Sequence, residues 1–278
     1  MTQNNFIDGH WLIASDLDGT LLDHYDYSHA PVDELLRQLE RRRVPVILNS
    51  SKTFPEMLEL RRQLHNGHPF IVENGSAIFI PTGYFPEVPE GAREQRDFWI
   101  FETGLPREQL LTFLRGDAGE HGSPYLSFAA ASCDEIAEAT GLSPEQALAA
   151  RSRDYSEPLL WRGSEGEKLA FEARVRASGM STLQGGRFLH LLGPTDKGKA
   201  TLQLLDCYRQ YRDIDYRLIA AGDSPNDLDM LKVADIAVIV RAAHRPPPQL
   251  EEATRRRVIV SEAIGPAGWK ETIGGLFS

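Results

Sequence analysis

Cysteine is scarce in this 278-residue chain, which contains only Cys133 and Cys207. Neither lies in a C-x-x-C pair or near histidines at metal-ligand spacing, which argues against a disulfide framework and against a zinc site. We interpret both as incidental or buried thiols, consistent with a reducing cytoplasm. No run approaches the roughly 18 consecutive apolar residues of a membrane span. Residues 1–10 lack a basic region followed by an apolar run, so we expect no signal peptide and a cytoplasmic protein.

Positive charge is also in short supply. The chain has 30 lysines and arginines against 40 aspartates and glutamates, which gives a formal net charge of −10. This balance argues against a nucleic-acid-binding protein, whose domains usually carry a basic excess. It does not exclude an anionic substrate, because a few basic groups can dominate the field inside a cleft. The sequence also has no P-loop, no H-E-x-x-H zinc motif and no G-x-S-x-G nucleophile elbow, which disfavours three common enzyme classes.

Short apolar segments alternate with amphipathic ones at both ends of the chain, and this rhythm predicts a parallel sheet with helices on its faces. The first run predicts strands at 11–15, 44–48, 70–72 and 77–80, with helices at 31–43 and 55–65. The rhythm returns with helices at 196–211, 225–233 and 247–256 and strands at 216–221, 236–240 and 258–260. The predicted fold class is therefore α/β, with a Rossmann-like parallel-sheet core.

The rhythm breaks near Pro81, where proline and glycine cluster as far as Gly91. The following residues predict a mixture of helices (108–114, 133–140 and 144–151) and strands (125–128, 159–162 and 188–192). We therefore predict a core formed by residues 1–82 and 190–278, with an inserted α+β cap domain at 83–189. The aromatic residues at 99–101 and 125–128 are predicted to lie in the interior of the cap.

The motif Asp16-Leu17-Asp18-Gly19-Thr20 directly follows the first predicted strand. Ligands of open α/β sheets bind outside the carboxyl ends of the strands, and carboxylates two positions apart can be aimed at one point there. Close like charges require a cation or a proton, and Mg²⁺ commonly accompanies carboxylates and phosphate. An aspartate can attack phosphorus as a nucleophile, while a second one protonates the leaving oxygen. Taken alone, the Asp-Gly pair would more simply mark a turn.

Three further polar segments lie at predicted strand ends or helix starts: Asn49-Ser50-Ser51-Lys52, Asp196-Lys197-Gly198-Lys199 and Gly222-Asp223-Ser224-Pro225-Asn226-Asp227. A hydroxyl of the first segment could hydrogen-bond a phosphate oxygen. The lysine of the second adds charge to a helix terminus that already favours anions. The third supplies another pair of carboxylates. Each segment alone can also be interpreted as a turn or a helix cap, so the functional prediction depends on the segments occurring together.

In this order, the four motifs resemble the haloacid dehalogenase phosphatase superfamily over the whole predicted core. The insertion point resembles the branch of that superfamily in which a large α/β cap closes over the site. Carried over by position, the resemblance assigns Asp16 as nucleophile, Asp18 as general acid and base, Ser50, Lys197 and Asn226 as phosphate ligands, and Asp16, Asp18 (through its carbonyl), Asp223 and Asp227 as a Mg²⁺ site. Two adjacent serines leave open whether Ser50 or Ser51 binds the phosphate.

Three stretches, at 69–75, 153–158 and 185–190, resemble the mannosyl-3-phosphoglycerate phosphatases. This resemblance implies a small sugar-acid phosphate as the partner, with no nucleic acid and no membrane. The residues that we expect to bind the rest of the substrate are Lys52, Glu73, Asn74, Arg153, Glu157 and Arg187, with the two glutamates accepting from sugar hydroxyls. His190 could line the same cleft, but a single histidine on an apolar strand is more often structural.

Several other functions stay open at this point. A related enzyme could act on glucosyl-3-phosphoglycerate or sucrose phosphate, and a phosphosugar mutase would share the same core. A phospho-ligand binding module without turnover is disfavoured because both Asp16 and Asp18 are present. The sequence specifies neither the preferred sugar nor the oligomeric state.

Overall fold

A computed structural model describes residues 7–185, 187–250 and 257–278. In chain order the helices and strands are β1 (His10–Ser15), α1 (Asp33–Arg41), β2 (Val46–Asn49), α2 (Phe54–Gln63), β3 (Phe70–Val72), β4 (Ala77–Pro81), β5 (Arg93–Gln95), β6 (Phe98–Glu102), α3 (Arg107–His121), β7 (Tyr125–Ser127), α4 (Cys133–Thr140), α5 (Pro144–Arg151), β8 (Ser156–Trp161), α6 (Glu165–Ala177), β9 (Ser181–Gly185), β10 (Phe188–Leu192), α7 (Lys197–Arg212), β11 (Tyr216–Gly222), α8 (Leu228–Val233), β12 (Ile236–Arg241), β13 (Arg257–Ile264) and α9 (Gly265–Phe277). Short 3₁₀ turns cover Glu73–Gly75 and Pro225–Asp227. In these ranges no helix combines the length and the apolar character that a membrane-spanning segment requires.

The larger sheet has nine strands in the order β13-β12-β11-β1-β2-β3-β4-β6-β5. Neighbouring strands from β13 to β3 run parallel, and β4, β6 and β5 extend one edge in antiparallel fashion. Strand β1 lies in the middle of the parallel part, where burial on both faces explains its continuous apolar sequence. The predicted α/β class with a largely parallel sheet is confirmed.

Alternation along the strands divides the core into two layers. Trp11 and Ile13 pack with residues of α1, α2 and α9, whereas Leu12 and Ala14 pack with residues of α7 and α8. This arrangement follows from the period of two in a strand, which sends successive side chains to opposite faces. Helices therefore cover both faces of the larger sheet, and its strand ends remain free to carry a site.

A smaller antiparallel sheet, in the order β7-β8-β10-β9, forms the core of the inserted unit. Leu189 and Leu191 of β10 pack on one face with buried residues of α3 and α6, including Leu110 and Phe171. The residue between them, His190, is therefore directed to the opposite face of this sheet.

The boundary between the two units differs from the predicted one. Strand β6 pairs with β4, and β5 pairs with β6, so the larger sheet continues to Glu102 and does not end at residue 82. The aromatic residues at 99–101 accordingly lie in the larger sheet and not in the cap interior. At the other junction, β10 pairs with β8 and β9, so the smaller sheet continues to Leu192. The β4–β6 and β8–β10 pairings join strands that are separated in sequence by other elements, which local patterns do not reveal.

Other elements also differ from the predictions. The sequence did not predict α6, β9 or α9, and α3 is longer than the predicted helix at 108–114. The predicted helix at 247–256 falls partly outside the described residues, and residues 247–250 have no regular structure. Strand β13 begins at the predicted place but continues to Ile264.

Candidate active site

The carboxyl ends of four parallel strands meet at one edge of the larger sheet. Asp16 follows β1, Ser50 follows β2, and Asp223 follows β11, while β12 leads into the loop that carries Arg245. The backbone amide of Asp16 donates to the carbonyl of Ala221 at 2.9 Å, which continues the β1–β11 pairing to the end of the strand. Parallel strand ends are where open α/β sheets bind ligands.

Lys197, the first residue of α7, joins two of these carboxylates. Its side chain is 0% exposed, and Nζ lies 2.5 Å from Asp16 Oδ1 and 2.7 Å from Asp227 Oδ1. The side-chain amide of Asn49 donates to the Lys197 carbonyl at 3.1 Å and so ties the start of α7 to the end of β2. The helix start is capped by Asp196, whose carboxylate accepts from the Lys199 amide. The ammonium group is therefore held in a fixed place beside Asp16.

The site has more negative than positive charge. Burial and the charge of Asp227 raise the pKa of Asp16 to about 8, although Lys197 opposes this shift. Burial and Asp227 likewise raise the pKa of Asp223 to about 6, against the opposing effect of Arg245. The guanidinium Nη2 of Arg245 lies 2.6 Å from Asp223 Oδ2. Two cations thus face three carboxylates, a deficit that a divalent cation would correct.

The donor set at this place fits Mg²⁺. Carboxylate oxygens of Asp16, Asp223 and Asp227 lie within 4.8 Å of one another, and oxygen ligands are those that Mg²⁺ prefers. Gly19 has a φ of +85°, and a Cβ atom there would lie 3.0 Å from Asp223 Oδ2. A glycine at this position therefore keeps the space beside the carboxylate open.

Asp18 is oriented by a separate cation. Its Oδ2 accepts a hydrogen bond from Lys52 Nζ at 2.8 Å. Its Oδ1 is buried and has no hydrogen-bond partner among the described residues. Lys52 therefore fixes the carboxyl group and leaves one oxygen for a substrate atom.

A cleft of about 260 Å³ opens in front of Asp16 and Asp18, and both units contribute to its lining. Its charged lining residues are Asp16, Asp18, Lys52, Glu56, Arg153, Arg187 and Arg245. The cleft is also lined by Ser51, Phe128, Gly185, Phe188, His190 and Asn226. Its four basic side chains outnumber its three carboxylates, a local positive excess in an otherwise acidic protein that suits an anionic substrate.

Two predicted glutamates have other partners. The carboxylate of Glu73 accepts from the amides of Asp154 (2.9 Å) and Tyr155 (3.2 Å) and from the hydroxyl of Ser156 (2.6 Å). It is 1% exposed and does not line the cleft. Glu73 therefore joins the larger sheet to the segment that enters β8, and the prediction that it accepts from a sugar hydroxyl does not fit the structure.

Glu157 and Asn74 also lie away from the cleft. Glu157 is fully buried and accepts from Arg107 Nε and the Ala129 amide, both at 2.7 Å. Asn74 is 1% exposed and occupies the left-handed conformation, with φ +59°, inside the turn that follows β3. We assign all three residues to the framework of the site, since none of them reaches the cleft.

The structure also distinguishes the two serines. Ser51 lines the cleft, whereas Ser50 is 1% exposed and its Oγ accepts from the Lys52 amide at 3.2 Å. Arg245 was missed by the sequence reasoning, which treated residues 245–248 only as a loop. The available signal was its place in the loop that follows β12, one of the parallel strands that end at this edge.

Comparisons with known proteins agree with this geometry. A sequence profile of haloacid dehalogenase-like hydrolases matches residues 13–85 and 192–248. A glucosyl-3-phosphoglycerate/mannosyl-3-phosphoglycerate phosphatase of Methanococcoides burtonii is 33% identical over 265 residues, which are 94% of this chain and 95% of that protein. Among solved structures, a Thermoplasma acidophilum protein matches with a TM-score of 0.66 at 17% identity, over 96% of this chain and 98% of that one. The sucrose-phosphatase of Synechocystis matches with a TM-score of 0.59 at 15% identity, also over 96% and 98%.

The chain therefore belongs to the haloacid dehalogenase-like hydrolases. The two structural likenesses show the shared fold of core and inserted unit. Within the family, this chain is a phosphatase, a hydrolase of phosphoric monoesters.

Proposed function

We propose that this phosphatase hydrolyses mannosyl-3-phosphoglycerate, or a close sugar-acid phosphate, to mannosylglycerate and phosphate. The reaction would depend on Mg²⁺ and pass through an aspartyl-phosphate at Asp16. The observation that carries the proposal is the buried Asp16–Lys197 pair at 2.5 Å, at the inner end of a cleft lined by four basic side chains. The relative from Methanococcoides burtonii, named for two sugar-acid phosphates, supports the choice of substrate class.

In the first step, an Asp16 carboxylate oxygen attacks phosphorus, and the bond from phosphorus to the leaving oxygen breaks. Lys197, in contact with Asp16, holds the attacking carboxylate and attracts the phosphoryl oxygens. Asp18 donates its proton to the leaving oxygen through the carboxyl oxygen that has no protein partner. The products of this step are the free sugar acid and the aspartyl-phosphate.

In the second step, Asp18, now ionised, removes a proton from water. The water oxygen attacks phosphorus, the bond between phosphorus and Asp16 breaks, and phosphate leaves with both groups restored. Lys52, 2.8 Å from Asp18, keeps the carboxyl group in place through both proton transfers. Asp16, Asp223 and Asp227 would hold the Mg²⁺ ion, which would supply positive charge at the phosphate oxygens.

The outer part of the cleft supplies the basis for a second anionic group. Arg153 Nη1 donates to the Ser51 carbonyl at 3.1 Å, while its buried Nε has no partner among the described residues. Arg187 is exposed, and its Nη1 donates to the Ala139 carbonyl at 2.8 Å. We assign these arginines to the glycerate carboxylate, because guanidinium groups pair with carboxylates in a planar geometry. Ser51 and Asn226 line the inner cleft and are assigned to the phosphate.

The test is phosphate release from a panel of substrates, with and without Mg²⁺. The panel contains mannosyl- and glucosyl-3-phosphoglycerate, sucrose phosphate, a simple hexose phosphate and p-nitrophenyl phosphate. We expect the highest kcat/KM for one of the two phosphoglycerate compounds, and only with Mg²⁺. Higher kcat/KM for sucrose phosphate or the hexose phosphate would refute the sugar-acid assignment. Isomerised substrate without free phosphate would indicate a mutase.

A further inference from the structure

His190 occupies a cleft position for which the proposed mechanism has no use. Its neighbours Leu189 and Leu191 are buried in the apolar cluster behind the smaller sheet, so alternation directs the imidazole towards the cleft. The residue is 5% exposed and lines the cleft together with Arg153 and Phe188. It is therefore a buried polar group on the face of the smaller sheet that lines the cleft.

The two ring nitrogens have different surroundings. Nδ1 is buried and has no hydrogen-bond partner among the described residues. Nε2 lies beside Gly185 of β9, which also lines the cleft. A Cβ atom at residue 185 would lie 3.1 Å from Nε2 and 3.2 Å from Cδ2, closer than ordinary contact. The missing side chain leaves a notch beside the Nε2–Cδ2 bond of the ring.

The imidazole in this notch is neutral. Burial and the charges of Arg153 and Lys197 lower the pKa of His190 to about 3. A neutral imidazole offers one donor and one acceptor, which suits a hydroxyl group better than an anion. Nδ1 is enclosed by protein, so the ring nitrogen that a substrate hydroxyl can reach is Nε2, which lies beside Gly185 in the cleft lining.

We infer that His190 Nε2 hydrogen-bonds a hydroxyl of the sugar part of the substrate, which lies in the notch over Gly185. His190 is then a residue that determines specificity for the sugar part of the substrate. This inference rests on the proposed function, since it requires a polyhydroxylated substrate.

The experiment compares His190→Phe, His190→Gln and His190→Asn on mannosyl-3-phosphoglycerate and on p-nitrophenyl phosphate. Phenylalanine keeps the ring shape without hydrogen bonding, and we expect it to lower kcat/KM for the sugar substrate roughly 5- to 50-fold. The glutamine amide reaches the position of Nε2 and should restore most of this loss, whereas the shorter asparagine should not. Turnover of p-nitrophenyl phosphate should change less than about 3-fold, because this substrate has no sugar hydroxyl and so does not make the hydrogen bond that the substitution removes.

Gly185→Ala places a methyl group in the notch and leaves His190 unchanged. It should reproduce the selective loss on the sugar substrate, and thermal melting shows whether each variant is folded. Equal losses of kcat/KM on both substrates would overturn the inference. An unchanged kcat/KM for the sugar substrate in folded His190→Phe would also overturn it. If the wild-type enzyme hydrolyses p-nitrophenyl phosphate but no sugar phosphate of the panel, the proposed function fails instead, and the two failures are distinct.

Discussion

Lys197→Met removes the buried ammonium group that separates Asp16 from Asp227. The lysine is 0% exposed and lies within 2.7 Å of both carboxylates, so its loss leaves two buried negative charges without their shared partner. Methionine fills most of the same volume, which confines the change to charge. We expect the variant to be inactive and, without metal, much less stable.

The size of the effect follows from the burial. Breaking a buried ion pair by removing one partner costs about 3–5 kcal/mol. For a protein of this size, each kcal/mol lowers Tm by about 2–4 °C, so the expected decrease is about 6–20 °C. Lys199→Met is the matched control, because Lys199 is 66% exposed and its ion pair with Asp196 is worth at most about 1 kcal/mol.

The assay is thermal and urea unfolding in EDTA across pH. The pKa of Asp16 is raised above its ordinary value of 3.8, so the folded state retains this proton to higher pH than the unfolded state. Without metal, the free energy of unfolding should therefore decrease as the pH rises through the window from 3.8 to about 8, and it should decrease more steeply in Lys197→Met. Added Mg²⁺ should reduce the difference in stability between Lys197→Met and the wild-type protein. If Lys197→Met had the same Tm as the wild-type protein in EDTA at the alkaline end of the window, this reasoning would be refuted.

Three other variants or conditions test the remaining assignments. Asp16→Asn should reduce kcat by a factor on the order of 10⁶, the size seen when a protease loses its covalent nucleophile, with Tm retained; substantial steady-state turnover would exclude the covalent route. Chelation should abolish activity and Mg²⁺ should restore it, with Asp223→Ala requiring much more Mg²⁺; full activity in EDTA would contradict the metal assignment. Arg187→Ala should lower kcat/KM for the sugar-acid phosphate roughly 10- to 200-fold, a loss of about 1.5–3 kcal/mol, with little change on p-nitrophenyl phosphate; equal losses would place Arg187 in the framework.

The meeting of the four motifs at one edge could be predicted from the sequence. Each motif follows an apolar strand or begins a helix, and parallel strands present their carboxyl ends at the same edge. Asp16, Lys197 and Asp227 accordingly lie in contact although they are separated by up to 211 positions in the sequence numbering. The strand rhythm and the motif positions are both local patterns, which explains why reasoning from them succeeds here.

Contacts made between the two units could not be predicted in the same way. Glu73 lies in a Glu-Asn-Gly turn, and nothing in that turn indicates that its carboxylate accepts hydrogen bonds from residues 154–156.

Helix α9 was not predicted for another reason. Its sequence contains several glycines, which disfavour a helix, but the burial of Trp269 and Ile273 in the core stabilises it. Tertiary packing therefore overrides local preference in this helix.

We propose that Asp16 carries the phosphoryl group during turnover. The direct measurement is rapid acid quench of the working enzyme with its best substrate from the panel, followed by proteolysis and mass spectrometry of the peptide that contains Asp16. The account predicts one phosphoryl group on Asp16, formed at the rate of the first turnover and missing from Asp16→Asn. Turnover with no phosphorylated Asp16 at any quench time, or with the group on another residue, would contradict it.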